Sequence, residues 1–431
     1  MMEMKKYKLG DCLSMIRNGA NIKQSEGAGG IPITRIETLS GDDFHRDRLG
    51  YADVYDIDPY TNHILQDNDI LMSHINSRTY LGRSVQYHKR ENEVIIHGMN
   101  LLRIQTKADI LDCSYAYYFF QNPYFKKCVD NRRTDAVNQS SINIANICDI
   151  KVDLPSLPIQ QKVASVLSAL DKKIALNRQI NQNLEALARQ LYDYWFVQFD
   201  FPNEKGKPYK SSGGKMVYNP ILKREIPEGW EVKTINEIAQ STRGVTYNKS
   251  DLVNQGVDSI LVLRGNNIEG NSLVYDGNVA YVPHTLVAAS QRIKKFDIIM
   301  TMSSGSKAHI GKCVLFNCDS PDTFGAFLNK FSAPQEYAYL LFLHFISNEF
   351  KSKIQSICNG TGINNLTNES FNHILLPTAN EEIRKHFKAV CAPIFDSIGK
   401  NELEIVSLTK QRDELLPLLM NGQVNFDLSA Y

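Results

Sequence analysis

Four polar stretches carry the side chains of this chain that could read a nucleic acid. Behind the apolar run Ile70 to Met72 the sequence places Ser73, His74, Asn76, Ser77, Arg78 and Arg83, and further on Arg132, Arg133, Asn138, Gln139 and Ser140. A second set comprises Ser303, Ser304, Ser306, Lys307 and His309, followed by Asn359, Thr361 and Asn364. Amides, hydroxyls and guanidinium groups on loops can hydrogen-bond base edges, whereas contacts to phosphate position a protein without reading sequence. For any one of these residues the competing reading is a solvated surface side chain. Equivalent placement in two halves of the chain is what favours function. Arg243 and Arg264 are weaker candidates, equally suited to a phosphate contact or a surface ion pair.

Catalytic chemistry is not expected. Gln121-Asn122-Pro123-Tyr124-Phe125 is close to the Asn-Pro-Pro-Tyr segment of amino-methyltransferases but lacks the second proline, and Gly27-Ala28-Gly29-Gly30 precedes a strand pattern instead of following one. A motif counts only in its structural context, so no self-contained S-adenosylmethionine site is expected. Pro321-Asp322 with Glu349 and Lys351 has the residue types of a metal-dependent nuclease. Glu349, however, falls in an aromatic helical pattern where the first half has Tyr124, which reads as core packing. There is no GxxxxGK[ST] phosphate loop. The expected chain holds no cofactor and no metal.

The elements that must position the polar stretches are written twice. Asp69-Ile-Leu-Met-Ser73 with Gly82-Arg83-Ser84-Val85 returns as Asp297-Ile-Ile-Met-Thr301 with Gly311-Lys312-Cys313-Val314, an offset of 229 for the glycines (311 minus 82) and 228 for the aspartates (297 minus 69). One repeat at so long a period means two copies of a module, not a solenoid. Upstream, Ile31 to Arg35 matches Ile260 to Arg264 as a strand leading into a polar loop. Downstream, Tyr115-Ala116-Tyr117 and Tyr337-Ala338-Tyr339 each open an aromatic helical stretch, and Leu154-Pro155 and Leu376-Pro377 each stand before a long helical pattern.

Those helical patterns alternate steps of four and three. The first runs Val163, Leu167, Leu170, Ile174, Asn177, Asn181, Leu184, Ala188, Leu191, Trp195; the second runs Cys391, Ile394, Ile398, Asn401, Ile405, Leu408, Arg412, Leu415, Leu419. Such seams belong to coiled coils, and asparagine inside a seam fixes register, so the two are expected to pair. The alternative is two amphipathic helices, each packed only on its own module. Pro393 is expected to start the long part of the last helix and Pro417 to mark its end. Asp171 to Phe196, 26 residues, would span ~39 Å, comparable to the ~34–36 Å of one turn of B-DNA. Between the first helix and the second module, Lys205-Gly-Lys-Pro208 and Ser211-Ser-Gly-Gly214 read as a linker.

With 431 residues the chain can form two or three domains. Its net charge of +1 gives no global attraction to nucleic acid, so any such site must be a local cluster. The eight cysteines form no CxxC pair, which favours reduced thiols in a cytoplasmic protein. Neither a secretion signal nor an apolar stretch of membrane-spanning length is recognisable.

In the order of its motifs the chain resembles the specificity subunit of a type I restriction-modification system. The carrying residues are Leu157-Pro-Ile-Gln-Gln-Lys162, Leu170-Asp-Lys-Lys-Ile174, Asn177-Arg-Gln-Ile-Asn181 and Trp195-Phe-Val-Gln-Phe-Asp200, then Ile226-Pro-Glu-Gly-Trp230 and Leu415-Leu-Pro-Leu-Leu-Met-Asn-Gly422. The resemblance implies an α+β protein in which two similar target recognition domains are separated by two long helices forming an antiparallel coiled coil. It implies recognition domains at 1–156 and 230–378, spacer helices at 157–200 and 379–422, a linker at 201–229 and a tail at 423–431. Each recognition domain would read half of a split double-stranded DNA target, the helices setting the gap. The partners implied are two modification subunits, which carry S-adenosylmethionine and methylate adenine, and restriction subunits that use ATP; this chain would perform no chemistry itself. The competing function is a coiled-coil scaffold whose modules bind protein. The second copy has Leu376-Pro377-Thr-Ala-Asn380 where the first has the double proline Leu154-Pro155-Ser-Leu-Pro158, which leaves the entry into the last helix open.

Overall fold

The computed structural model describes residues 3–25, 29–40, 43–137, 139–275, 279–357 and 364–424. They fall into two compact units, Met1–Leu176 with Glu404–Tyr431, and Asn177–Leu403.

Each unit is built on a four-stranded antiparallel sheet with the same strand order. In the first unit the order is Ser84–Gln86, Ile70–Ser73, Leu101–Thr106, Leu13–Asn18; in the second it is Cys313–Leu315, Ile298–Thr301, Leu328–Ser332, Gln240–Arg243. Ile70–Ser73 and Ile298–Thr301 are buried at all four positions, as near-continuous apolar runs require of a strand covered on both faces. A two-stranded ribbon closes each module, Lys5–Lys8 with Lys151–Leu154 and Glu231–Thr234 with Leu375–Thr378. The first module carries helices α1 (Cys113–Gln121), α2 (Pro123–Arg132) and α3 (Ile144–Cys148), and the chain then enters α4 (Leu157–Tyr192). The second opens with a short α5 (Ile235–Ile238) ahead of its sheet, then repeats α1 and α2 as α6 (Ala338–Ile346) and α7 (Asn348–Ile357) and enters α8 (Glu381–Met420).

The aspartate that opens the repeat holds the module together. Asp69 is 1% exposed and pairs with the buried Arg103 at 2.6 Å; Asp297 is 4% exposed and pairs with the buried Lys330 at 3.2 Å. Each carboxylate also accepts a turn amide, Gln66 N at 2.6 Å and Lys294 N at 2.7 Å. Further bonds come from Gln105 Nε2 at 2.6 Å in one copy and from the Ser332 hydroxyl at 2.5 Å in the other. Buried charges persist only when paired and hydrogen-bonded in this way.

Within each unit a part of α4 lies antiparallel to a part of α8. In the first unit Lys173 meets Glu404 at 3.5 Å and Asp171 meets Arg412 at 3.1 Å, so positions fall on one helix as they rise on the other. In the second, Asn401 Nδ2 donates to Asn181 Oδ1 at 2.8 Å, and Trp195 packs on Phe387 with ring centroids 5.3 Å apart. The seam residues named from periodicity are buried or half-buried, and the two seams pair with each other.

Four expectations need correction. The aromatic stretch after Tyr115 is two helices, because Asn122 caps a new one by accepting Tyr124 N at 2.8 Å and Pro123 occupies its first turn. A similar break at Ser347 separates α6 from α7. Pro393 does not start α8. The helix begins at Glu381, with Asn380 Oδ1 accepting Ile383 N at 3.0 Å, and buried Phe387, Cys391, Ile394 and Phe395 hold it through the proline. Pro417 likewise lies inside α8, which continues to Met420.

The segment expected as a linker is folded onto the second unit. Phe201 stacks on Tyr209 at 4.6 Å and on Trp230 at 5.3 Å, Asp200 accepts both the amide and the hydroxyl of Ser211 at 2.7 and 2.6 Å, and Met216–Asn219 pairs with Arg224–Pro227. The turn residues are real, but burial of the aromatic rings outweighs the chain entropy they confer.

Candidate nucleic-acid interface

In each copy the chain leaves the central strand, makes a polar excursion and is closed by a glycine. Gly82 N donates to Ser73 O and Ser73 N to Arg83 O, both at 2.8 Å; Gly311 N donates to Thr301 O and Thr301 N to Lys312 O, both at 2.9 Å. The glycines have φ of +81° and +78°, a conformation that a side chain would strain.

Each excursion is stitched to the later polar stretch of its own module. In the first, Asn76 pairs with Ser140 and Ile75 with Ser141, while Thr134–Asp135 adds a third strand to the ribbon. In the second, Ser303 pairs with Asn365 and Ser304 with Asn364. The next backbone bonds match as well, Ile142 N to His74 O at 3.0 Å and Leu366 N to Met302 O at 2.8 Å. Candidates that are distant in sequence thus form one surface per module.

The individual residues differ in what they can offer. Ser73 and His74 are buried. The Ser73 hydroxyl accepts Asn76 Nδ2 at 3.1 Å, and burial lowers the His74 pKa, keeping the ring neutral. Ser73 therefore supports Asn76, which is half-buried. Arg78 is exposed, and Arg83 lies with its guanidinium 4.5 Å over the Tyr80 ring. Arg132 Nη1 donates to Cys128 O at 3.4 Å. Arg133 is clamped by Asp135 at 2.8 Å and Asp130 at 3.3 Å, and Asp135 also accepts the Ser140 hydroxyl at 2.6 Å. Gln139 is exposed. In the second module Ser303 and Ser304 are half-buried, while Ser306, Lys307 and His309 are exposed. Asn138, Asn359 and Thr361 lie outside the described residues, and Asn364 is placed by its backbone pairing alone. Arg243 donates to Ala326 O at 3.2 Å and Arg264 to the Tyr247 hydroxyl at 2.8 Å.

Lys126 joins the first surface although its sequence context gave no sign of it. Its ammonium donates to Arg78 O at 3.0 Å and Leu81 O at 2.8 Å. Its pKa is pushed below the ordinary amine value, first by burial and then, against the pull of Asp130, by Arg133, Arg78 and Arg83. Cations gathered closely enough to repel one another favour the approach of an anion.

The model of the type I restriction modification DNA specificity domain matches residues 1–186 and 227–408. This chain belongs to the type I restriction-modification specificity family. It is 27% identical over 424 residues to a putative type I restriction enzyme MjaX specificity subunit from Methanocaldococcus jannaschii, covering 96% of this chain and 92% of that one. It is 33% identical over 199 residues to the type I restriction enzyme EcoKI specificity subunit from Escherichia coli, covering 46% and 41% of the two chains. The crystal structure of a type I S subunit from M. genitalium matches 97% of this chain and 96% of its own at a TM-score of 0.52 and 14% identity, a likeness of fold. The chain is thus the DNA specificity subunit of a type I system, a non-catalytic component. As part of the specificity subunit, the Asn122-Pro123-Tyr124 segment acts as a helix cap, with Asn122 itself 4% exposed. Among the described residues no helix is long and apolar enough to cross a membrane.

Proposed function

We propose that the two ribbons each read one half of a bipartite double-stranded DNA target, with the paired helices setting the gap between the halves. The observation that carries this reading is the ribbon itself: one backbone plan, built twice on the same strand, presents Arg78, Arg83 and Gln139 in one copy and Ser304, Ser306 and Lys307 in the other. The reading domains are 1–156 and 230–378, the spacer helices 157–200 and 379–422, and 201–229 connects them.

In this reading the chain works in the cytoplasm with two modification subunits, which supply S-adenosylmethionine, and with restriction subunits that use ATP. Membership of the family supports those partners. So do apolar residues left exposed on the spacer helices, Leu176 at 52% and Leu187 at 45% on α4, and Leu403 at 69% and Val406 at 60% on α8; exposed apolar area of this kind marks a protein contact.

The test is a gel shift of duplex DNA by the chain with its modification subunit across a salt series, together with the gap measured after inserting one heptad into both spacer helices. Binding should weaken steeply with salt, and the gap should lengthen with both half-sites unchanged. Altered half-sites with an unaltered gap would refute the spacer role.

A further inference from the structure

One face of the central sheet in the first unit holds a charge imbalance that the second unit does not share. Arg17 and Arg103 stand opposite each other on paired strands, so both side chains leave the sheet on one face, an arrangement that is destabilising for like charges. Asp69, the carboxylate beside them, is committed to Arg103, Gln105 and the Gln66 amide. Arg17 Nε is buried without a hydrogen-bond partner. Burial and then Arg103 hold its guanidinium below the ordinary pKa. His97 is 0% exposed; its Nε2–H donates to Leu101 O at 2.8 Å, and its Nδ1 is buried without a partner, as is Nδ1 of His63. Both rings are kept neutral by burial first and then by the two guanidinium groups.

The second unit supplies the control. Thr242 opposes Lys330 where Arg17 opposes Arg103, and Lys330 pairs with Asp297. The bridge of Ala20 to Gly98 has its counterpart in the bridge of Val245 to Gly325, so Phe324 takes the place of His97. One cation there faces one anion, and no imidazole is present at that position. The fold therefore stands without Arg17 and His97. In the first unit Arg17 imposes like-charge repulsion on Arg103 and an unpartnered buried Nε–H, both of which a bound anion would relieve.

We propose that Arg17, backed by Arg103 and flanked by His63 and His97, forms a subsite for a phosphate-class anion. It rests on the DNA reading above only for the source of the phosphate. The strand Ile70–Ser73, which runs into the reading ribbon, pairs with Leu101–Thr106 in the same sheet, so a backbone phosphate held by Arg17 would position the duplex for the readers without itself reading a base.

Arg17→Gln and Arg17→Lys in the full chain test this in two arms, thermal shift with inorganic phosphate against chloride at matched ionic strength, and DNA affinity of the complex with modification subunit against salt. Without ligand, R17Q should melt no lower than the parent, because the like-charge contact is gone. Phosphate should then raise the melting temperature of the parent and of R17K but not of R17Q, or the slope of log affinity against log salt should fall by about one in R17Q on specific and unrelated duplexes alike. A response to phosphate alone assigns the free ion; a response in the DNA arm alone assigns a backbone phosphate. No response in either arm overturns the subsite, and so does a large loss of melting temperature in both variants, which would make Arg17 structural. A complex that binds no DNA would refute the reading above, and the phosphate arm would still decide this site.

Discussion

The two ribbons share a backbone and differ in chemistry. The first is three-stranded, with Arg78, Arg83, Lys126 and Arg133 gathered around it and Asp130 and Asp135 holding Arg133 in place. The second is two-stranded along the described residues and presents hydroxyls with Lys307 beside them. What the copies keep is buried: the paired aspartate, the strand order and the closing glycine. Along the ribbons, what they vary is largely on the surface, as expected if the scaffold is fixed and the two halves of a target are read independently.

The largest effects should fall on the shared part. Arg103→Met and Lys330→Met each leave a buried carboxylate without its cation, and each should cost about 3–5 kcal/mol in urea denaturation. A cost below about 1 kcal/mol in one copy alone would break the equivalence of the modules.

Acid should separate the units next. Glu402 on α8 has its pKa raised from 4.5 to about 7, chiefly by burial and further by Glu185, against a hydrogen bond from Ser272. Between those values the folded unit binds the proton that the unfolded chain does not, so stability rises as pH falls from 7 to 4.5. Glu93 in the first unit is the opposite case, lowered from 4.5 to about 2, chiefly by the Arg46 hydrogen bond at 2.6 Å and also by Tyr87. Its contribution is complete above pH 4.5 and is lost between 4.5 and 2. Each is worth on the order of 2–3 kcal/mol. Glu402→Gln should abolish the gain in melting temperature between pH 7.5 and 5, and Glu93→Gln should flatten the loss below pH 4.5. The same pH profile for both variants would contradict the assignment.

A smaller effect sharpens the contrast at the ribbons. Arg83→Ala should reduce the salt slope of DNA binding by about one if it meets a phosphate, or cost about 1–3 kcal/mol on the cognate site alone if it reads a base. Ser306→Ala should leave the slope unchanged, since serine carries no charge. A slope change in S306A would mean that the second ribbon binds by another route.

The duplication and both seams were legible in the sequence because apolar periodicity and repeated strings survive without coordinates. The juxtaposition of Asn76 with Ser140 was not, since strand pairing between segments far apart in the chain is set by the sheet that carries them. Pro393 misled for a physical reason: a proline inside a helix is disfavoured, yet buried neighbours on both sides keep this one in place. The region 201–229 misled through its glycines and lysines, although Phe199, Phe201, Tyr209 and Trp230 were there to indicate a packed segment. Lys126 was hidden by aromatic neighbours whose spacing pointed to the core.

Sequencing of methylated sites from a host carrying the complete system tests the central claim most directly, once residues 230–378 are exchanged for the matching domain of a family member. Two independent reading units predict a changed second half-site with the first half-site and the gap retained. A change in both halves, or in neither, would contradict the account.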